Sequence, residues 1–122
     1  MERAYWTDPN THLTWAAEDN GYDVSWNEAV HYCQNLTTGG FHWTLPTIEQ
    51  LEKIYSVGKN NLGQPVRGSI KLTSNYEWSA TKSGPDEAWL FPFNTLGKRR
   101  SMLIDIEMHN VRALCVRRPR GQ

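Results

Sequence analysis

The chain contains two cysteines, Cys33 in "SWNEAVHYCQNL" and Cys115 in "VRALCVRRP", with most of the polypeptide between them. Whether they bond decides both the compartment and the class of fold. Their separation rules out a CxxC redox motif. Two cysteines also make a poor zinc site, which normally takes four ligands. On the residues alone two readings stay open. They are two buried free thiols, since free cysteine is among the most buried residue types, or they are one long-range staple.

The surroundings of Cys33 predict a helix. Ser25 followed by Glu28 is a capping box. From Trp26 onward Ala29, Val30, Cys33 and Leu36 fall at three- and four-residue spacing, one face of a helix that Gly39 and Gly40 stop. Pro46 forces Leu45 out of the helical region. Thr47 and Gln50 make a second capping box, and Ile48, Leu51, Ile54 and Tyr55 form the stripe of a second helix, ended by Gly58. "LTWAAEDN" reads as a strand with Leu13 and Trp15 on one face. The stretch Lys59 to Glu77 has no sustained period and is punctuated by Gly63, Pro65 and Gly68. It reads as a long surface loop with at most a short strand near Ile70–Leu72. Strand-like pieces follow: "EWSAT", "AWLFPFN", "SMLIDI" and "VRALCVRR", with turns at "KSGPDE" and "NTLGKRR". Pro92 makes the second of these an edge strand or a bulged one. Strand, helix, helix, loop, then antiparallel strands is α+β, not alternating βαβ.

At 122 residues the chain reads as one domain, 1–122. Thirteen acidic and thirteen basic residues cancel, so nothing favours nucleic acid as a partner. The arginines near Cys115 (Arg112, Arg117, Arg118, Arg120) read as the solvated face of a strand, with Lys98, Arg99 and Arg100 before them. No apolar run approaches the ~20 residues of a membrane span, so no membrane insertion is expected. The start, "MERAYWTDPN", shows no signal peptide and reads as a trimmed piece or one module of a longer protein.

The ordered motifs "LTWAAEDNG", "SWNEAVHYC", "NLTTGG", "WTLPTIEQLEKIY", "WSAT", "EAWLFPF" and "RALCVRR" resemble the Lcl C-terminal domain family, domain of unknown function 1566. That family is a branch of the C-type-lectin-like, formylglycine-generating-enzyme-like fold, and is named for the end of a bacterial collagen-like adhesin. The likeness runs from Leu13 to Arg118. It departs at Thr44, where the family usually has arginine, and at Ala80, where it usually has serine. The resemblance implies two helices flanking a small antiparallel sheet, first and last strands paired, and a long loop excursion that commonly carries the ligand site. It also implies a disulfide between Cys33 and Cys115, hence an extracellular, cell-surface or periplasmic location.

Trp15, Trp26, Trp43, Trp78 and Trp89 sit inside these motifs and read as core, so alanine at Trp26 or Trp89 should cost about 3–5 kcal/mol. Trp6 is less constrained, and Tyr76 is the aromatic most readily placed on the surface. His12, His31, His42 and His109 show no HxH or HExxH spacing. Asn60, Asn61, Asn75 and Glu77 in the loop, and Asp86 and Glu87 in the next turn, are oxygen donors of the kind calcium takes. Neither EF-hand spacing nor the lectin triplets accompany them. Solvated loop residues are therefore the expectation, no cofactor is expected, and calcium is the alternative. No GxSxG, P-loop or GxGxxG occurs. Formylglycine-generating enzymes use two cysteines near the C-terminal active site, where this chain has only Cys115. The expected function is a non-enzymatic extracellular or cell-surface binding or adhesion module. It would take a glycan or protein through Asn60, Asn61, Asn75, Tyr76, Asp86 and Glu87. Alternatives are a diverged relative of formylglycine-generating enzymes and a structural or assembly module of a surface protein. Alanine at Asn60, Asn61 and Tyr76 should leave stability nearly unchanged.

Overall fold

The computed structural model describes residues 4–56, 58–93, 100–103 and 111–117. Its strands are β1 (Tyr5–Thr7), β2 (Thr14–Ala16), β3 (Trp43–Thr44), β4 (Tyr76–Gly84), β5 (Glu87–Pro92), β6 (Arg100–Leu103), β7 (Val111–Arg112) and β8 (Val116–Arg117). Two helices, α1 (Trp26–Asn35) and α2 (Ile48–Ile54), lie between β2 and β4, with a short 3-10 turn at Thr38–Gly40 after α1. The class is α+β, as expected. The strands form two sheets rather than one, in the orders β1-β2-β8-β3 and β6-β5-β4-β7. The second is mixed, because β4 runs parallel to β7.

Both helices start where their capping boxes put them. The Ser25 hydroxyl accepts from the Glu28 amide while the Glu28 carboxylate accepts from the Ser25 amide, and Thr47 and Gln50 do the same for α2. Their ends come earlier than the glycines suggested. Leu36 and Tyr55 already adopt extended backbone. Tyr55 leaves the helix because it bridges to Val66 in the returning loop.

The segment expected as a single last strand is split. Val111–Arg112 joins one sheet and Val116–Arg117 the other, with Ala113, Leu114 and Cys115 fully buried between. Its alternation feeds two cores. Val111, Ala113 and Cys115 pack with Ala29, Cys33, Trp43, Trp78 and Leu90 on the α1 side. Leu114 and Val116 pack with Trp15, Ile48, Leu51, Ile54, Phe91 and Phe93 on the α2 side. Neighbouring residues of β2 and β5 divide the same way, Trp15 from Ala16 and Phe91 from Leu90. The period-two geometry of extended chain thus lets one layer serve both helices.

Cys33 and Cys115 form a disulfide, with Cα atoms 5.5 Å apart. The strand read from "LTWAAEDN" pairs with the last strand, Trp15 opposite Val116. An additional strand, β1, precedes it and pairs with β2. Pro92 lies at the end of an interior strand, paired with Tyr76 of β4, rather than on an edge. "WSAT" and "LPT" meet at a bulge in β4. The Thr81 hydroxyl accepts from the Ile48 amide, one of the unpaired donors at the start of α2, and the Ala80 amide donates to Pro46. Ser79, fully buried, donates to the Trp89 carbonyl. Ala80 itself is exposed, so the absent family serine removes nothing from the core.

Two expectations need correcting. Trp26 and Trp89 are half-buried, whereas Trp15 and Trp78 are fully enclosed. Arg112 and Arg117 are not a freely solvated row. Arg112 bonds Asp23 and Thr73, and the Arg117 guanidinium lies 3.9 Å from the centre of the Phe41 ring. Arg118, Arg120, Lys98, Arg99, His109, the turn "NTLGKRR" before Arg100, and the end of "SMLIDI" lie outside the described residues.

Candidate functional site

The long loop is built from the inside. Its apolar residues Val66, Ile70 and Leu72 are buried in the α2-side core. Its amides close the loop on itself. The Asn60 side chain donates to the Ile70 carbonyl at 2.9 Å and accepts from the Leu62 and Gln64 amides. The Gln64 side chain donates to the Leu72 carbonyl at 2.6 Å and accepts from the Leu72 amide at 2.7 Å, reproducing with a side chain the two-way pairing of a strand. The base of the loop is clamped to the first strands. Arg67 pairs at 2.6 Å with Asp8, which is fully buried, and its guanidinium lies over Trp6. Gly68, at φ +68°, leaves room for the Trp6 ring, into which a Cβ there would run. Lys59, in the left-handed region at φ 45°, turns the chain into the tip.

What faces outward is therefore limited. Lys59, Asn61 and Leu62 are exposed at the tip, Leu62 at 54 %. Ser56, Lys59, Asn61, Arg67 and Ser69 line a shallow hollow of about 330 Å³.

The structure redistributes the residues expected to bind. Asn61 lies at the tip as expected. Asn60 lines the same hollow, but its amide is spent on the loop's own backbone. Alanine there is consequently not neutral. Gln64→Ala should be at least as costly, lowering stability by about 2 kcal/mol because the buried Leu72 amide and carbonyl lose their partner. Urea unfolding of this variant checks the value. Tyr76 is not a loop aromatic. It begins β4, pairs with Pro92 and Val111, and packs half-buried on the α1-side core. Asn75 is exposed at the loop's end, its carbonyl accepting from the Phe93 amide. Asp86 and Glu87 are exposed at the turn after β4. That strand's nine residues put roughly 25 Å between this turn and Tyr76, so turn and loop are not one surface. Among the described residues no group of three or more His, Cys, Asp or Glu gathers as metal ligands.

Glu77, expected among the solvated oxygens, is sealed inside. Neither of its carboxyl oxygens has a hydrogen-bond partner among the described residues. Burial pushes this carboxyl well above the ordinary carboxylate range, the neighbouring Asp19 carboxyl pushes the same way, and Arg112 opposes them. Asp19 is itself nearly buried and satisfied, accepting from the Thr73 amide and hydroxyl and from the Gly21 amide. The folded form of Glu77 thus holds a proton that the unfolded chain has released above its ordinary value of 4.5. Its contribution to stability is fully present below that value and is lost as pH rises through the folded value. Denaturant midpoints should fall as pH rises above the ordinary value for this carboxyl, and Glu77→Gln should flatten that slope. An unchanged slope would assign the dependence elsewhere.

Gln64, Asp8, Arg67 and Trp6, which set the loop's shape, carry no motif that marks them in the sequence. The only local signal was Gly68 beside Arg67 in a segment otherwise read as coil. A family model described as "Lcl C-terminal domain" matches residues 4–117. No curated protein matches the chain.

Proposed function

The chain belongs to the Lcl C-terminal domain family, and from the geometry of its long loop we propose that it is a non-enzymatic binding or adhesion module. It works in an oxidising compartment: extracellular, cell-surface or periplasmic. The observation that carries this reading is the internally clamped loop. Fixing a loop before contact removes ordering entropy from the cost of binding. Here Asn60 and Gln64 are spent on rigidity while Asn61 and Leu62 are left outward. The disulfide supports the compartment, since such bonds persist where thiols are not kept reduced. No helix among the described residues is long and apolar enough to cross a membrane. We read the α+β fold as C-type-lectin-like. The pairing of β2 with the last strand, the bridge from α1 to the segment before β8, and the long loop between α2 and β4 support that reading.

The ligand is a glycan or protein displayed on a surface. Probing arrays of glycans and extracellular-matrix proteins with the disulfide-intact domain should give retained signal that survives EDTA. Blank arrays would overturn the proposal, and so would chemical conversion of the retained molecule.

A further inference from the structure

We propose that the groove between Tyr22 and Tyr32, on the outer face of α1, is a binding site for a neutral saccharide. The inference goes beyond the loop reading and does not depend on it. Tyr22 is the most exposed large hydrophobic side chain among the described residues, at 58 %. This exposure is not slackness. The turn that carries Tyr22 is pinned at several points. The Asn20 side chain donates to the Tyr22 carbonyl and accepts from the Ala113 amide, and the Gly21 amide donates to Asp19. Gly21 supplies the left-handed φ of +83° that the turn requires. A phenol ring is thus held in solvent by a turn anchored to the buried last segment.

Opposite it, α1 offers one face. Glu28, His31, Tyr32 and Asn35 follow at three- and four-residue spacing, and with Tyr22 and Leu36 they line a groove of about 380 Å³. Tyr32 and Leu36 also form one wall of a second hollow of about 320 Å³, whose other side carries Glu18 and Asp19. Each lies within the roughly 300–1,000 Å³ of small-molecule sites. The two share a ridge, so they suit a ligand longer than one ring.

The lining selects the chemistry. Flat aromatic faces match the C–H faces of a sugar ring. An imidazole, an amide and carboxylates are donors and acceptors for its hydroxyls. Glu28 is held ionised by the hydrogen bond from the Ser25 amide, and Glu18 adds a second acidic group, while Asp19 behind it is held by Thr73 and Gly21. No Lys or Arg is among the described residues lining either hollow. Sulfated, phosphorylated and uronic-acid ligands would meet like charge, whereas a neutral sugar donates its hydroxyl protons to those oxygens.

The test is calorimetric titration of the disulfide-intact domain with chitotetraose, cellotetraose and mannotetraose, with a heparin-derived tetrasaccharide as the anionic comparison. At least one neutral tetrasaccharide should bind at millimolar concentration or tighter. Tyr22→Ala should weaken it tenfold or more with an unchanged melting temperature, since Tyr22 is exposed. Asn35→Ala should weaken it severalfold, and Leu62→Ser at the loop tip should leave it unchanged. That last variant separates this site from the loop, because failure of the loop reading leaves the tetrasaccharide result standing. Failure of all three neutral sugars to bind would overturn the proposal. So would binding indifferent to Tyr22→Ala, or preference for the heparin fragment.

Discussion

Replacing both Cys33 and Cys115 by alanine should lower the stability of the domain by about 4.5 kcal/mol, the chain-entropy value for a loop closed across a separation of 82 positions. A protein of this size has roughly 5–15 kcal/mol in total, so a third or more of the whole rests on one bond. The melting temperature should fall by roughly 15–20 °C. The effect is large because of what the bond joins. Cys33 is on the buried face of α1, and Cys115 lies in the segment that passes between the two sheets, beside Ala113 and Leu114. Without it the last segment is held by backbone bonds such as the Ala16 amide to the Cys115 carbonyl and the Asn20 amide to the Ala113 carbonyl. Both cores then lose the layer they share. Thiol titration of the unfolded, unreduced protein should find almost no free thiol. A double variant as stable as the parent would show that packing alone fixes the last segment.

Trp78→Ala should cost about 3–5 kcal/mol, a cavity of the largest kind. Trp78 is fully buried in β4 against Ala29, Cys33 and Leu90, and its indole N–H donates to the Val24 carbonyl at 2.9 Å. The variant loses the ring and leaves that carbonyl without its donor. Trp26 is the useful contrast. It is half-buried, its indole donates to the Ser79 carbonyl, and Lys82 lies over its ring. Alanine there should cost clearly less. Urea unfolding of the two variants side by side measures the difference, and equal losses would mean that burial is not what ranks them.

The features legible in the sequence are those that short spacings decide. Ser25 with Glu28 and Thr47 with Gln50 specify helix starts within four residues, and both boxes form as read. The apolar stripe of α2 likewise names its buried residues, Ile48, Leu51 and Ile54. The disulfide was undecided from the residues and followed from the family resemblance. What could not be read is what distant partners decide. "VRALCVRR" alternates like one strand, and only the presence of two sheets on either side divides it. Asn60 and Gln64 look like solvated loop amides, because an amide that clamps backbone and one that faces water have the same composition. Glu77 looked like a surface acid beside a loop. It is buried because β7 lies parallel to β4 there, a pairing no turn in the sequence announces. Tyr22 gave no signal, since its exposure depends on Asn20 reaching Ala113 across the fold.

The central claim is that a loop made rigid from within presents its tip to a ligand. The most direct measurement is the equilibrium affinity of the parent domain and of the Asn61→Ala/Leu62→Ser variant for the strongest array hit, with the melting temperature of each. Both substitutions are outside the clamp, so melting temperatures should agree while affinity falls tenfold or more. Equal affinities at equal stability would place the contact surface elsewhere and contradict the account.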